Sequence, residues 1–224
     1  MWYSLLQPIS DLIVVQELEP VLAALPQWRL EKALSYRQDV DRYTCAKAYL
    51  LLCEMLEKHY GIVRSGESDR TGRIGDIGRM YLSGERGRNS ASHLPEFTYG
   101  PHGKPFLKGR PDIHFNFSHC RKAILCAIGD IPLGADVEEC QYDEALCREI
   151  FSADERADID GSADPARRFA ELWTRKESCL KLLGTGLSGN LEDILPAAAR
   201  EGIIFTTEFH ENLGVVSTTA CRQR

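Results

Sequence analysis

The sequence predicts an α+β fold, and three observations support this prediction. Segments with helical periodicity and short β-forming runs occur in groups, without the regular strand–helix alternation of a doubly wound sheet. The 224 residues are 43% hydrophobic and 27% charged, as in globular proteins. This length is long for one usual domain and short for two. A single large domain and two half-sized lobes are therefore both compatible with it.

Helical periodicity predicts three helical regions. The first covers residues 27–60, where apolar residues recur at helical spacing from Trp28 to Leu34 and again from Tyr43 to His59. A second lies around 143–151. The third begins near Asp164, an N-cap residue followed by a proline at the first helical position, and runs to about Leu183, where glycines end it.

Strand-like runs follow one another in the middle of the chain and return in its tail. Their residues are β-branched, aromatic or otherwise apolar, and turn signals such as Ile131-Pro132 separate them. The predicted strands are 113–118, 123–129, 133–138, 202–209 and 214–219.

Residues 64–92 differ in character from the rest, because they hold many glycines and arginines. Gly72, Gly75 and Gly78 do not form the G-x-G-x-x-G pattern of a phosphate loop, and no apolar strand precedes them. This segment is therefore predicted to be a mobile surface insertion.

Composition restricts the class of protein. The net charge is −6, which argues against general nucleic-acid binding, and no apolar run reaches the ~20 residues that span a bilayer. The N-terminus lacks the features of a signal peptide, and the eight cysteines form no C-x-x-C pair. We therefore expect reduced thiols and a cytoplasmic protein without a membrane segment.

The charge is divided unevenly along the chain. Residues 133–224 hold 18 acidic and 10 basic residues, whereas residues 1–132 hold 15 acidic and 17 basic residues. An acidic half joined to a slightly basic half would suit a metal site on one side and phosphates on the other. Chance variation of the surface is the alternative.

Asp136 and Glu138 are the first candidates for chemistry. Residues i and i+2 of a strand point to the same face, so the two carboxylates repel each other unless a cation lies between them. Oxygen ligands of this type suit Mg²⁺. The alternative is a solvated strand end, with Glu139 as a third surface acid.

The predicted third helix carries the second candidate group. Glu177 and Lys181 are spaced i,i+4, which is also the spacing of an ordinary surface ion pair. In a functional site Glu177 would be a third metal ligand or a base. Lys176 and Lys181 would then bind phosphate oxygens.

Two further short motifs precede these. Phe115-Asn116-Phe117-Ser118-His119 ends a strand, and a Ser–His catalytic pair is improbable there because adjacent strand residues face opposite ways. The Gly103-Lys104-Pro105 turn presents one cation. Either motif could contact a ligand phosphate.

In combination, these motifs resemble those of the Sfp-like 4′-phosphopantetheinyl transferases, in the holo-acyl-carrier-protein synthase superfamily. That family shows, in order, G-K-P, F-N-x-S-H, G-x-D-x-E, W-x-x-K-E-(S/A)-x-x-K and G-x-G-L. In this sequence the last three read Gly134 to Glu138, Trp173 to Lys181 and Gly184 to Leu187. Five motifs in register over about 85 residues carry the resemblance, which is weaker before residue 95.

The resemblance implies a fold of two similar α+β lobes with the active site between them. The N-terminal lobe would be 1–132, including the insertion, and the C-terminal lobe 133–224. The implied reaction moves the 4′-phosphopantetheine arm of coenzyme A to a serine of an apo acyl or peptidyl carrier protein. It depends on Mg²⁺ and releases adenosine 3′,5′-bisphosphate. A monomer is sufficient, and the carrier would serve fatty acid, polyketide or nonribosomal peptide synthesis.

The resemblance also implies roles for single residues. The metal ligands would be Asp136, Glu138 and Glu177, with Glu177 as the base and Lys181 at the leaving group. The implied contacts with coenzyme A are Lys104, Pro105, Ser118, His119, Lys176, Lys181, Arg42 and Arg37. Of these, Lys176 and Lys181 would lie on the pyrophosphate side, and Arg42 and then Arg37 match the basic position of the first helix.

Two other functions remain as alternatives. A Mg²⁺-dependent phosphohydrolase acting on nucleotides or coenzyme A could use the same three carboxylates. A non-catalytic protein that only binds carriers would not need the complete set of Asp136, Glu138 and Glu177.

Overall fold

A computed structural model describes residues 1–62, 94–186 and 190–222. The elements before residue 130 are β1 Trp2–Pro8, α1 Asp11–Ala23, α2 Gln27–Leu34, α3 Asp39–Tyr60, β2 Phe97–Tyr99, β3 Pro105–Leu107, β4 His114–His119 and β5 Ala123–Gly129. The later elements are β6 Leu133–Glu139, α4 Glu144–Ile150, α5 Ala153–Asp160, α6 Pro165–Leu183, a 3-10 helix Leu191–Asp193, α7 Ile194–Arg200, β7 Ile203–His210 and β8 Val215–Arg222. The predicted α+β class is confirmed.

The strands form two antiparallel three-stranded sheets of the same order and one small hairpin. The first sheet has the order β1-β5-β4 and the second β6-β8-β7, while β2 pairs with β3. In the first sheet β5 lies between β1 and β4, and in the second β8 lies between β6 and β7. In both sheets the central strand is the last of the three in sequence. This equal topology supports the prediction of two similar lobes. The boundary at 132/133 stays a prediction, although β6 begins there.

Strand β5 is buried on both faces, and its alternation separates two cores. Ile124, Cys126 and Ile128 lie in the core beneath α1 and α3. Ala123, Leu125 and Ala127 lie in a second core, with Leu133, Ala135 and Val137 of β6. Because successive side chains of a strand face opposite ways, the one apolar run predicted at 123–129 joins both halves of the chain.

Helix α6 has the ends that the sequence predicts. The Asp164 side chain accepts a hydrogen bond from the Arg167 N–H, and Pro165 begins the helix. Gly184 ends it with a positive φ of 70°, a conformation that costs glycine little.

The predicted helix over 27–60 is two helices, separated at residues 35–38. Seven other elements of the described residues were not predicted: β1, α1, β2, β3, α5, the 3-10 helix and α7. Helix α1 contains Pro20, a residue that disfavours a helical prediction, and it is held by a Ser10 N-cap. The predicted insertion at 64–92 lies outside the described residues.

All eight cysteines lie in the described ranges, and each is a free thiol. Five of them, including Cys53 and Cys126, are buried. None of the helices in the described residues is long and apolar enough to cross a bilayer.

Candidate active site

Strand β6 and helix α6 are in backbone contact, and this contact sets the geometry of the site. A Cβ atom at Gly134 would lie 2.0 Å from the Ser178 carbonyl oxygen and 2.3 Å from the Leu182 nitrogen. Only glycine fits there. Residues 134, 136 and 138 share one face of the strand, so Asp136 and Glu138 are turned towards the same helix.

Asp136 is the centre of a buried polar cluster. Its side chain is 1% exposed, and its Oδ1 accepts hydrogen bonds from Ser118 Oγ at 2.7 Å and from Lys181 Nζ at 2.6 Å. Lys181 Nζ also donates to Ser118 Oγ at 3.0 Å. The cluster therefore joins β4, β6 and α6, which supply three of the predicted site residues.

The second carboxylate oxygen of Asp136 is buried without a hydrogen-bond partner. A buried unpaired carboxylate oxygen is costly, so it points to a partner of positive charge or a donor.

The three predicted carboxylates influence one another. Burial, and then the charge of Asp136, raise the pKa of Glu138 to about 8. The same two causes, in the same order, raise the pKa of Glu177. The Lys181 ammonium opposes both shifts. One lysine thus balances part of the negative charge of three acids.

These residues fit a divalent cation by their chemistry but not by a preformed cage. Over residues 1–62, 94–186 and 190–222, no three His, Cys, Asp or Glu side chains are arranged to hold a metal ion. The Lys181 ammonium lies on Asp136 Oδ1 instead. The unpartnered Asp136 Oδ2 and the raised pKa values of two neighbouring acids fit the chemistry of hard oxygen ligands.

His119 is exposed at the end of β4, one residue beyond Ser118. The ring is nevertheless partly shielded from water; this partial burial, and then the charge of the nearby Lys181, lower its pKa, while Asp41 and Asp136 act in the opposite direction. The interaction with Asp41 places the first turn of α3 near His119.

The two predicted arginines lie at the same end of α3. Arg42 donates to the Tyr36 carbonyl at 3.0 Å and to Asp39 at 2.9 Å, and Arg37 is exposed in the segment before the helix. Both are thus on the N-terminal side of α3, close to Asp41, whose charge influences the pKa of His119.

Lys104 does not point its ammonium group outwards. Its Nζ donates to the carbonyl oxygens of Leu133, Lys181 and Leu182 at 3.2, 2.6 and 3.0 Å. Pro105 begins β3 beside it. In this structure the Lys104 ammonium is thus engaged within the protein, and its contact with a 3′-phosphate stays a prediction.

Lys176 was predicted to lie on the pyrophosphate side, and in the structure its ammonium is turned into the protein. Its side chain is 0% exposed, and its Nζ donates to the carbonyls of Ile150 and Leu191 and to Glu155 Oε2 at 3.1, 2.7 and 2.9 Å. A lysine ammonium has three protons, and all three are used. Lys176 therefore connects α6 to α5 and to the 3-10 helix.

Sequence reasoning missed the function of Asn116. It is 5% exposed, and its Oδ1 accepts a hydrogen bond from the Ala135 N–H at 3.1 Å, which joins the two large sheets. Strand alternation could have identified it, because Asn116 lies on the same face as Ser118.

A cavity of about 290 Å³ borders Glu138. Apolar rings from Phe169 and Trp173 form part of its wall, and Cys120 and Arg121 complete another part. The carboxylate cluster thus lies next to a cavity that is lined by both apolar and polar side chains.

Comparison with known proteins matches residues 132–217 to the model of the 4′-phosphopantetheinyl transferase superfamily. The matched segment includes Asp136, Glu138, Glu177 and Lys181. The resemblance predicted from the motifs is confirmed over this segment.

Curated proteins that are similar to this chain carry the name of the same family. The 4′-phosphopantetheinyl transferase psf-1 of Bacillus pumilus is 37% identical over 105 residues, which are 45% of this chain and 44% of the relative. The 4′-phosphopantetheinyl transferase Sfp of Bacillus subtilis (strain 168) is 31% identical over 47% of this chain and 49% of its own. AcpT of Salmonella typhi, also a 4′-phosphopantetheinyl transferase, is 32% identical over 48% and 56%. The chain thus spans about half the length of the curated relatives it matches.

Proposed function

We propose that this chain, whose residues 132–217 match the model of the 4′-phosphopantetheinyl transferase superfamily, transfers the 4′-phosphopantetheine arm of coenzyme A to a serine of an apo carrier protein. One observation carries the proposal: the cluster of Asp136, Lys181 and Ser118, with Glu138 and Glu177 beside it, lies between the two large sheets. Acyl and peptidyl carriers of fatty acid, polyketide or peptide assembly are the acceptor class.

In this reaction the serine oxygen forms a bond to the β-phosphorus of coenzyme A. The bond from that phosphorus to the bridging oxygen breaks, and adenosine 3′,5′-bisphosphate leaves with the electron pair. Glu177 is the proposed base for the serine proton.

Lys181 is the proposed cation for the leaving phosphate. Its side chain is 29% exposed while its ammonium lies against Asp136, so it is held in place and still accessible. Positioning and charge stabilisation dominate phosphoryl transfer, and a fixed ammonium serves both.

Asp136, Glu138 and Glu177 would hold the Mg²⁺ ion. When bound, the ion neutralises charge on the two phosphates of the pyrophosphate. Because the three carboxyl groups are close together, the ionised form of one disfavours ionisation of the next. Besides burial, the charges of Asp136 and Glu177 therefore raise the pKa of Glu138.

The 3′-phosphate of coenzyme A would lie between the end of β4 and the start of α3. His119 is exposed there, and Arg42 and Arg37 supply positive charge on the adjoining helix end. Binding this remote phosphate would orient the reacting one.

The proposal is tested by the product formed from coenzyme A with and without an apo carrier protein. With Mg²⁺ and carrier, chromatography should show adenosine 3′,5′-bisphosphate in an amount equal to the carrier modified, and chelation of the metal should stop its formation. Release of free phosphopantetheine without carrier would instead show the alternative phosphohydrolase. No release in either case would leave only a binding function.

A further inference from the structure

The last turn of α6 is completed by a side chain from a distant part of the chain. The final carbonyl groups of any helix lack partners within it. The Gly184 N–H satisfies the Leu180 carbonyl at 2.8 Å. The next two carbonyls, of Lys181 and Leu182, accept hydrogen bonds from Lys104 Nζ, 77 and 78 residues away.

A cation suits this position for two reasons. The C-terminus of a helix carries partial negative charge, and a lysine offers three donors. Its third donor reaches the Leu133 carbonyl at the start of β6, so one ammonium joins the β2–β3 hairpin, α6 and β6.

The end of the helix leaves space for the lysine stem. A Cβ at Gly184 would lie 3.2 Å from Lys104 Cδ, closer than a side chain normally allows. Glycine at this position therefore serves both the reversal of the chain and the approach of Lys104.

We propose that Lys104 is a positioning residue for Lys181, acting as a cap of α6 supplied by the β2–β3 hairpin. Lys104 holds the backbone carbonyl of the same residue whose ammonium lies 2.6 Å from Asp136. Fraying of this turn would move the Lys181 ammonium away from the acids. The capping role stands on the geometry alone, whereas the effect on catalysis rests on the proposed function.

The test compares the variants Lys104→Met and Lys104→Gln with Lys108→Met. Methionine keeps the length of the stem without a donor, and glutamine keeps two N–H donors on a shorter stem. Lys108 lies on the same hairpin in an exposed pair with Glu96, so it controls for loss of charge. Hydrogen exchange of the amides at 182–184 is measured together with transfer rates for coenzyme A and its 3′-dephospho form.

In Lys104→Met we expect exchange at 182–184 to be roughly tenfold faster, because an exposed turn loses its external partner. We expect kcat to fall about tenfold to a hundredfold, by the same factor for both substrates, with little change in KM. Lys108→Met should match the wild type. If Lys104→Met does not fold, Lys104→Gln should still show faster exchange than the wild type.

Unchanged exchange at 182–184 in a folded variant would overturn the proposal. So would faster exchange with an unchanged kcat, or a loss confined to coenzyme A, which would show a 3′-phosphate contact. If the wild type itself transfers nothing, the proposed function fails, and hydrogen exchange alone decides the capping role.

Discussion

Asp136 shows why the site needs residues from several elements. One of its oxygens binds Lys181 and Ser118, and the other is buried without a partner. Desolvation makes the charge of Asp136 costly, and that charge raises the pKa of both Glu138 and Glu177. Each of these residues is ordinary in isolation, and their chemistry comes from the distances among them.

Replacement of Glu177 by glutamine should abolish transfer without loss of the fold. Glu177 is half-buried, and an amide of equal size fills the same volume. Loss of a general base costs about 10²–10⁴-fold, so we expect a fall in kcat of at least a hundredfold. Steady-state rates and the thermal midpoint measure the two effects. A rate equal to the wild type would exclude Glu177 as base or ligand.

These residues could be identified from the sequence because their types and spacing form motifs. Periodicity places Asp136 and Glu138 on one strand face and Glu177 and Lys181 on one helix face. Their roles came from the resemblance that the combined motifs carry. The roles of Lys104 and Lys176 could not be predicted. Their acceptors are mainly backbone carbonyls, which carry no sequence signal.

Among the elements, β6 and α6 form the decisive pair. Their backbones touch at Gly134, which brings the acids of the strand next to Glu177 and Lys181 of the helix. Two lysines then fix α6 to its neighbours: the half-buried Lys104 reaches its C-terminus from the β2–β3 hairpin, and the buried Lys176, a residue of α6 itself, reaches the Leu191 carbonyl. Helix α6 was predicted with its correct ends, since those ends follow local capping rules.

Alanine at Gly134 should force the strand and the helix apart. The added carbon would lie 2.0 Å from a backbone oxygen that cannot rotate away. We expect a loss of about 3 kcal/mol or more in the free energy of unfolding, at the upper end for overpacking. Gly161→Ala is the control, because its Cβ would lie 3.1 Å from the nearest atom at a φ of −81°. Equal urea midpoints for both variants would contradict the close contact.

Replacement of Lys176 by an uncharged residue should destabilise the protein, because the Glu155 carboxylate would lose its counter-ion. Lys176→Met leaves Glu155 buried without its cation, which typically costs about 3–5 kcal/mol. The double variant with Glu155→Gln removes both charges and keeps an acceptor for the Ser152 N–H, so it should recover about 1–3 kcal/mol. Additive effects of the two substitutions in urea unfolding would show that the pair is not coupled.

The stability should also depend on pH through Lys104, because the cost of burying its ammonium outweighs the favourable contacts that the charge makes with the helix end. Burial lowers the pKa of Lys104 from 10.5 to about 8 in the folded chain. Between these values the unfolded chain holds a proton that the folded chain has released, so unfolding becomes less favourable as pH rises. The free energy of unfolding of the wild type, relative to Lys104→Met, should therefore increase from pH 8 to pH 10.5. Urea titrations across this range measure it, and a flat or falling difference would contradict the shift.

On the scale of the whole molecule, two sheets of the same order meet along β5 and β6. The chain length of 224 residues, which lies between that of one usual domain and that of two, is explained by the presence of two sheets with the same strand order. The unequal charge is also arranged around the site, since the three acids lie after residue 133 and His119, Arg37 and Arg42 before it. Sequence patterns predicted β4 to β8, but not the pairing of the strands, because β1 and β5 are joined by contacts between residues over 110 positions apart.

The central claim is that the chain modifies a carrier serine, and intact mass spectrometry of the carrier tests it most directly. A panel of apo acyl and peptidyl carriers is incubated with the chain, coenzyme A and Mg²⁺, beside matched carriers with alanine at the acceptor serine. We predict that at least one carrier gains the mass of a single phosphopantetheine group and that its alanine form gains none. Unmodified carriers throughout the panel, with the chain folded and coenzyme A intact, would contradict the account.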